Sequence, residues 1–282
     1  MIIGHQKQQN FLKRIVNSGN IPHALLFTGP EELGKKTIAL ELISFIFKDN
    51  LLNHPDFRLI EPKTGQIKIA QIRELNWKLS LKPIKAPLFG AVIDKAHSMT
   101  LEAQNCFLKT LEEPKTKSLL ILITEHSNYL LPTIISRCEN LKFYPVKNEE
   151  INLYLEQRKV PKENIKEIIE FSLGRPGKAV HFLKNPEKLE ERKKKIEKLK
   201  KISNSPFSFR FKYIKELAKE EDLRETLDIW LSYFRRNLLF TKNNENLLKI
   251  KSVLDSIQET IFLTSTTNVN PRLALEVLIM KL

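Results

Sequence analysis

The chain has 282 residues, a formal net charge of +14 and a charged fraction of 28%. This length allows two or three domains with a sizeable core, and with only 8 glycines the composition excludes a fibrous or disordered protein. The two cysteines, Cys106 and Cys138, are too few for a disulfide framework or a structural zinc site, so we expect no zinc.

Residues 1–16 have helical spacing with polar residues throughout, and they contain no apolar signal-peptide core. No apolar run in the chain approaches the roughly 18 residues of a transmembrane helix. We therefore expect a cytoplasmic protein that has no membrane partner. The positive charge permits contact with nucleic acid, although many lysines sit in Lys/Glu runs typical of a solvated helix face.

Residues 24–35 match most of a phosphate-binding loop. An apolar strand, residues 24–27, leads into a loop bounded by Gly29 and Gly34, and Lys35 begins a helix. In the pattern G-x-x-x-x-G-K-[ST], the loop amides surround phosphates, the lysine reaches the terminal phosphates and the hydroxyl group binds Mg²⁺. The pattern alone also occurs by chance, but its position after a strand favours a nucleotide site.

The same loop departs from the pattern in two ways. Lys36 stands at the hydroxyl position, where an ammonium group repels Mg²⁺, and Thr37 comes one residue late. Glu32 adds a carboxylate to a loop that should face anionic phosphates. We predict a degenerate site that requires no cofactor; the residues leave residual ATP binding open, since Gly29, Gly34 and Lys35 favour it.

A loop is predicted from Leu59, followed by a strand-like stretch over residues 67–70 and a helix over residues 70–81. Ile72, Leu75 and Leu79 form the apolar face of that helix.

Residues 88–114 are predicted to form the centre of the fold. A buried strand over residues 89–93 ends on Asp94, at the edge where open α/β sheets bind ligands. A helix follows and stops at Pro114. A hydrolysing site would usually have a glutamate after the strand aspartate, but Lys95 stands there and cannot act as a base. This second departure supports a retired ATPase.

The remaining elements complete the sheet and continue in helices. Residues 118–124 form another doubly buried strand that ends on Thr124, beside the strand of Asp94 if the sheet is the usual one. An extended connection at residues 144–146 closes the sheet domain. Two or three short helices are predicted up to Pro186, and then longer ones over these residues: 188–201, 207–217, 223–239, 246–265 and a last helix from Pro271.

The last helix is apolar on most of its circumference, which predicts packing against partner helices.

Seven stretches resemble the clamp-loader subunits of the AAA+ class, as found in bacterial DNA polymerase III. They are IPHALLFTGP, HPDF, IKIAQIREL, IDKAHSMTLEAQNCFLKTLEEP, LLPTIISRC, LGRPGKAV and NPRLALEVLIMKL. The resemblance implies an α/β P-loop domain with a parallel sheet at residues 1–146. It further implies a small helical lid at residues 147–186 and an all-α collar for oligomerisation at residues 187–282.

The resemblance also implies roles for individual residues. In Ser136-Arg137-Cys138, Arg137 corresponds to the arginine that reaches the ATP site of a neighbouring subunit. Thr124 corresponds to the residue that senses nucleotide state, and Lys68 and Arg73 are candidates for contacts with DNA phosphates.

Two further absences follow from the resemblance. An active subunit usually has an arginine near the position of Gly177, and Arg175 and Lys178 are out of register with it. The four-cysteine zinc module that often precedes the HPD segment is also missing.

The function that the resemblance implies is a non-hydrolysing structural subunit of the sliding-clamp loader, part of the DNA polymerase III holoenzyme. Its partners would be the gamma/tau ATPase and delta subunits, through the collar and the Arg137 face, together with the sliding clamp and primer-template DNA. One alternative is an active gamma/tau-type ATPase subunit. Another is a stand-alone basic nucleic-acid-binding protein, which predicts tight, salt-sensitive DNA binding by the isolated chain.

Overall fold

The computed structural model describes residues 2–219, 222–241, 243–266 and 269–282. The chain divides into two compact units, Met1–His181 and Phe182–Leu282. The predicted division into three parts places the sheet and the lid in separate domains, and that finer boundary stays a prediction.

The first unit is built around a sheet of five parallel strands in the order β2-β3-β4-β1-β5. The strands are β1 (Ala24–Thr28), β2 (Phe57–Ile60), β3 (Phe89–Ile93), β4 (Ser118–Thr124) and β5 (Glu139–Lys142). The helices are α1 (Gln6–Asn17), α2 (Lys35–Phe47), α3 (Ile69–Leu79), α4 (Leu101–Glu112), α5 (Pro132–Ile135), α6 (Asn148–Gln157), α7 (Lys162–Ser172) and α8 (Pro176–Lys184). Short 3₁₀ turns occupy Ala96–Ser98 and Ser127–Tyr129.

Both faces of the sheet are covered, which explains why the central strands are continuous apolar runs. In β1, Leu25 and Phe27 pack with residues of α1 and α2 on one face. Leu26 points to the other face and packs with residues of α3, α4 and α5. The predicted strands over residues 24–27, 89–93 and 118–124 are confirmed, and β4 pairs with β3 in parallel.

The prediction for residues 59–70 was wrong in two respects. Phe57–Ile60 forms the edge strand β2, although a loop was predicted from Leu59. The strand has only 4 residues, which is too short for an alternation of apolar and polar residues to be recognised. In the stretch over residues 67–70, which was predicted to be strand-like, Ile67 and Lys68 precede α3 and residues 69–70 lie in its first turn. Ile67 is fully buried in the core, with one isolated bridge to Met99. The side chain of Gln71 accepts a hydrogen bond from the Lys68 N–H at 3.2 Å, which caps α3.

The helices predicted after the sheet are present. The second unit begins at Phe182, within α8. Its other helices are α9 (Pro186–Ser203), α10 (Phe207–Leu217), α11 (Leu223–Phe240), α12 (Asn244–Thr266) and α13 (Pro271–Lys281). Lys/Glu pairs lie along the exposed face of α9, such as Lys188 with Glu191 at 3.0 Å. Within the described ranges, no helix is both long and apolar enough to cross a bilayer.

The last helix, α13, buries only one of its apolar faces within the chain. Leu275, Leu278 and Ile279 are buried, but Leu273 and Val277 are 58% and 60% exposed. Burial on all sides is therefore not a property of this chain by itself. The exposed apolar side chains are those that a partner would have to cover.

Candidate functional site

The candidate site lies where three neighbouring strands end. Gly29 follows β1, Thr124 ends β4 and Asp94 follows β3, so all three meet at the carboxyl edge of the sheet. The Gly29 N–H donates to the Thr124 carbonyl oxygen at 3.2 Å, which ties the phosphate loop to the central strand. A cavity of about 410 Å³ opens there, and Gly34, Lys35, Thr37, Asp94 and Thr124 are among its lining residues.

Two glycines give the phosphate loop its shape. Gly29 has φ +139°, and a Cβ atom there would lie 2.3 Å from the Phe143 carbonyl oxygen, so only glycine fits. Gly34 has φ +85° and precedes the first residue of α2. The Gly-x-x-x-x-Gly spacing therefore has the backbone geometry of a phosphate loop.

Lys35 is turned onto its own loop. Its side chain is buried, and its ammonium group donates to the carbonyl oxygens of Gly29, at 2.6 Å, and Pro30. Burial lowers the pKa of Lys35, although the acids around the cavity act in the opposite direction. The group that would bind terminal phosphates thus already has partners within the chain.

Lys36 lies at the position where a phosphate-loop site holds its cation. Its Nζ atom is 3.6 Å from Oδ2 of Asp94 and 2.5 Å from Oε1 of Glu61. The fold class implies a Mg²⁺ ion bound with nucleotide at such a site. An ammonium group between the two carboxylates does not fit a Mg²⁺ ion, because it takes the space and the negative charge that the ion needs.

Two acids, Glu31 and Glu125, line the part of the cavity where a phosphate-loop site would hold its phosphates. Glu31 forms an ion pair with Lys95 at 3.1 Å, and Glu125 lines the same cavity close enough for its charge to interact with that of Glu31. Burial alone would raise the pKa of Glu31, but the contact with Lys95 outweighs it and lowers that pKa. Burial, followed by the charge of Glu31, raises the pKa of Glu125. Carboxylates in this place repel phosphates, so these residues do not fit a triphosphate.

Thr124 is held in a fixed orientation. It is 1% exposed, and its hydroxyl group lies 3.1 Å from Nδ1 of His97 and accepts from the His126 N–H at 3.0 Å. Burial lowers the pKa of His97. The structure does not test whether Thr124 senses nucleotide state, and this role stays a prediction.

The start of α8 packs against the backbone of the phosphate loop at Glu32. The Gly177 N–H donates to the Glu32 carbonyl oxygen at 2.7 Å, and a Cβ atom on Gly177 would lie 2.8 Å from that oxygen. His5 holds the next residue of the loop, with its Nε2 atom 2.8 Å from the Leu33 carbonyl oxygen. The close backbone contact explains why no side chain stands at position 177.

Arg137 lies away from the cavity, in the turn between α5 and β5. Its guanidinium group is exposed, donates to the Thr133 carbonyl oxygen at 3.0 Å and forms an ion pair with Glu112 at 2.8 Å. The Ser136 hydroxyl group also donates to Thr133, at 3.1 Å. Cys138 packs against the core, and burial raises its pKa to about 12.

The two candidate DNA contacts, Lys68 and Arg73, are exposed near the start of α3. The structure does not test their role, which stays a prediction. Among the residues that the structure describes, no three His, Cys, Asp or Glu side chains are grouped so that they could hold a metal ion.

Sequence reasoning missed Glu31, Glu61, Glu125 and His97. Glu61 and Glu125 each follow a strand directly, as Asp94 does. Recognition of β2 as a strand would have placed Glu61 at the same sheet edge, and the end of β4 gave the same signal for Glu125. Nothing in the sequence pairs Glu31 with Lys95.

Comparisons with known proteins agree with this arrangement. The family described as "DNA polymerase III, delta subunit" matches residues 4–147. The chain is 30% identical to DNA polymerase III subunit delta' of Bacillus subtilis over 279 residues, covering 90% of this chain and 84% of that protein. It is 31% identical to the replication factor C small subunit of Picrophilus torridus, over 64% of this chain and 58% of that protein.

Solved structures show the same fold. A DNA polymerase III gamma subunit-related protein of Thermotoga maritima superposes with a TM-score of 0.58 and 23% identity, over 97% of each chain. A variant of RuvB from the same organism gives a TM-score of 0.50 at 18% identity, over 70% of this chain and 64% of that one. At these identities the likeness establishes the fold alone.

Proposed function

Because the chain belongs to the delta-prime family of DNA polymerase III clamp-loader subunits, we propose that it is a non-hydrolysing subunit of the sliding-clamp loader. In this role it supplies Arg137 to the ATP site of a neighbouring ATPase subunit during DNA replication. The observation that carries the proposal is a contrast within one unit: Lys36 and Lys95 of the cavity are paired with its own acids, whereas Arg137 is exposed outside the cavity.

The cavity supports the absence of hydrolysis. Lys36 contacts Asp94, and Lys95 occupies the position of the water-activating glutamate while paired with Glu31. Hydrolysis needs a metal ion that neutralises the phosphates and a group that orients water. Neither position offers the required chemistry.

Arg137 supports a role in trans. A guanidinium group stabilises negative charge on a transferred phosphoryl group, and such arginines supply a factor of ~10³–10⁵ in rate in other systems. In this chain the group is held by Glu112 and Thr133. An exposed ion pair is worth only about 0–1 kcal/mol, so a triphosphate can replace Glu112 at little cost.

The remaining partners follow from the exposed surfaces. The apolar face of α13, with Leu273 and Val277, supports packing against the collar helices of the gamma/tau and delta subunits. The net charge of +14 supports contact with primer-template DNA in the complex, with Lys68 and Arg73 as candidate positions. The sliding clamp is the other partner of the assembled loader.

The test is ATP hydrolysis by the reconstituted clamp loader containing Arg137→Ala. We expect the variant to fold and assemble, because its side chain is exposed, and to lower turnover at the site it completes. Arg14→Ala, which removes an exposed arginine from α1, should leave turnover unchanged. Unchanged turnover with Arg137→Ala would remove this role, and Mg²⁺-dependent turnover by the isolated wild-type chain would favour an active gamma/tau-type subunit instead.

A further inference from the structure

The contacts of Lys36 differ from those of an ordinary surface lysine. Its ammonium group joins two acids that follow different strands, Asp94 after β3 and Glu61 after β2. The Asp94 side chain is only 18% exposed, against 52% for Glu61. The Asp94 carboxylate accepts a hydrogen bond from the N–H of Lys95 at 3.0 Å, whereas its contact with Lys36 is an ion pair without a hydrogen bond. Lys36 therefore provides the ion pair of a largely buried carboxylate.

The position of Lys36 in the chain strengthens this observation. It directly follows Lys35, at the place where the phosphate-loop pattern has the hydroxyl ligand of Mg²⁺. The first turn of α2 aims this side chain at the sheet edge, where the acid after β3 would contact the ion. The ammonium group thus stands where the fold would otherwise require a cation.

Acidic side chains likewise occupy the part of the cavity where the phosphates of a nucleotide would lie. The Glu31 carboxylate contacts Lys95 at 3.1 Å, and Glu125 lines the same cavity. The carboxylates stand on the side where phosphates would lie, and Lys35 binds loop carbonyl oxygens. The cavity therefore holds a cationic side chain beside Asp94 and anionic side chains near Lys95, without a bound ion.

We propose that the ammonium group of Lys36 is a built-in counter-ion that takes the place of a divalent cation between Asp94 and Glu61. The site then keeps one closed arrangement without metal or nucleotide. This inference deepens the proposed non-hydrolysing function and depends on it for its biological meaning, but it can be tested on the isolated chain.

The experiment compares the thermal melting of wild type and Lys36→Thr, which restores the hydroxyl group of the pattern, with and without millimolar MgCl₂. Without Mg²⁺, the variant leaves two carboxylates without their shared cation, and we expect its Tm to fall by about 2–4 °C. Mg²⁺ should raise the Tm of the variant progressively with concentration, as binding to the folded state requires. KCl at equal ionic strength should not.

Wild type and Lys188→Thr should not respond to Mg²⁺ beyond the effect of KCl. Lys188 is a matched control, because it also lies in the first turn of a helix and forms an ion pair with an acid of its own helix, Glu191, at 3.0 Å. Lys36→Arg keeps the positive charge and should behave like wild type. A Lys36→Thr variant that melts like Lys188→Thr and ignores Mg²⁺ would overturn the proposal.

A second measurement does not depend on the folding of a variant. Hydrogen exchange of the wild-type amides in residues 29–37 should be the same with and without Mg²⁺ or Mg²⁺–ATP. Added protection there would mean that the site accepts the metal despite Lys36, and the proposal would be wrong. Failure of the proposed function would appear separately, as unchanged hydrolysis by the complex with Arg137→Ala.

Discussion

Gly177→Ala tests how tightly the start of α8 holds the phosphate loop. The new methyl group would lie 2.8 Å from the Glu32 carbonyl oxygen and 3.1 Å from its Cα atom. Both are backbone atoms, so no flexible side chain can move aside. Glu32 already has φ +62°, a conformation that non-glycine residues rarely adopt, which limits how far the loop can shift.

The expected loss of stability follows from these contacts. Overpacking of this kind costs ~1–3 kcal/mol, and weakening of the Gly177–Glu32 hydrogen bond adds ~0.5–1.5 kcal/mol. The better helix propensity of alanine returns at most ~1 kcal/mol. The net effect is a loss of about 2 kcal/mol, which lowers the Tm of a unit of this size by roughly 4–8 °C.

Thermal denaturation followed by circular dichroism measures this change, and hydrogen exchange of the amides of residues 31–34 locates it. Lys162→Ala, at the exposed first residue of α7, is the control and should change the Tm little. A Gly177→Ala protein that melts at the wild-type temperature or above, with unchanged exchange in the loop, would refute this account of the contact.

Three other outcomes are expected. Asp56 is 2% exposed and accepts from three backbone N–H groups at 2.7–2.8 Å. Burial alone would raise the pKa of Asp56, but these hydrogen bonds outweigh burial and lower that pKa. The stability that ionised Asp56 contributes is therefore present at neutral pH, and it is lost as the pH falls through the lowered pKa. Asp56→Ala should therefore destabilise the wild-type fold at pH 7 and flatten its pH dependence in the acid range, as measured by urea titrations at several pH values. Gln104→Met should cost ~2–3 kcal/mol in urea denaturation, because the buried amide group bonds the backbone of Met99, Tyr129 and Leu131; no loss would contradict the network. Cys138, with a pKa of about 12, should react with iodoacetamide at pH 8 about 10³-fold more slowly than in the unfolded chain, as followed by mass spectrometry; fast labelling would contradict its burial.

The elements that could be predicted from sequence are those with a strong local signal. The strands β1, β3 and β4 are apolar runs buried on both faces, and Pro114 and Pro271 mark the ends or starts of helices. The prediction for residues 67–70 was wrong because the apolar side chain of Ile67 packs in the core, whereas the pattern was interpreted as a strand of the sheet. Its burial depends on contacts far along the chain, which no local pattern contains.

The sequence by itself determined the positions of the phosphate loop, of Asp94 and of the two lysines that interrupt the pattern, because these depend on residue type and spacing. Only the tertiary structure decided which charges meet. Glu61 reaches Lys36 because β2 joins the sheet beside β3, and Glu31 meets Lys95 because β1 and β3 flank the same strand. Electrostatic pairing falls off with distance in space, and the order of strands in a sheet is set by packing of the whole unit.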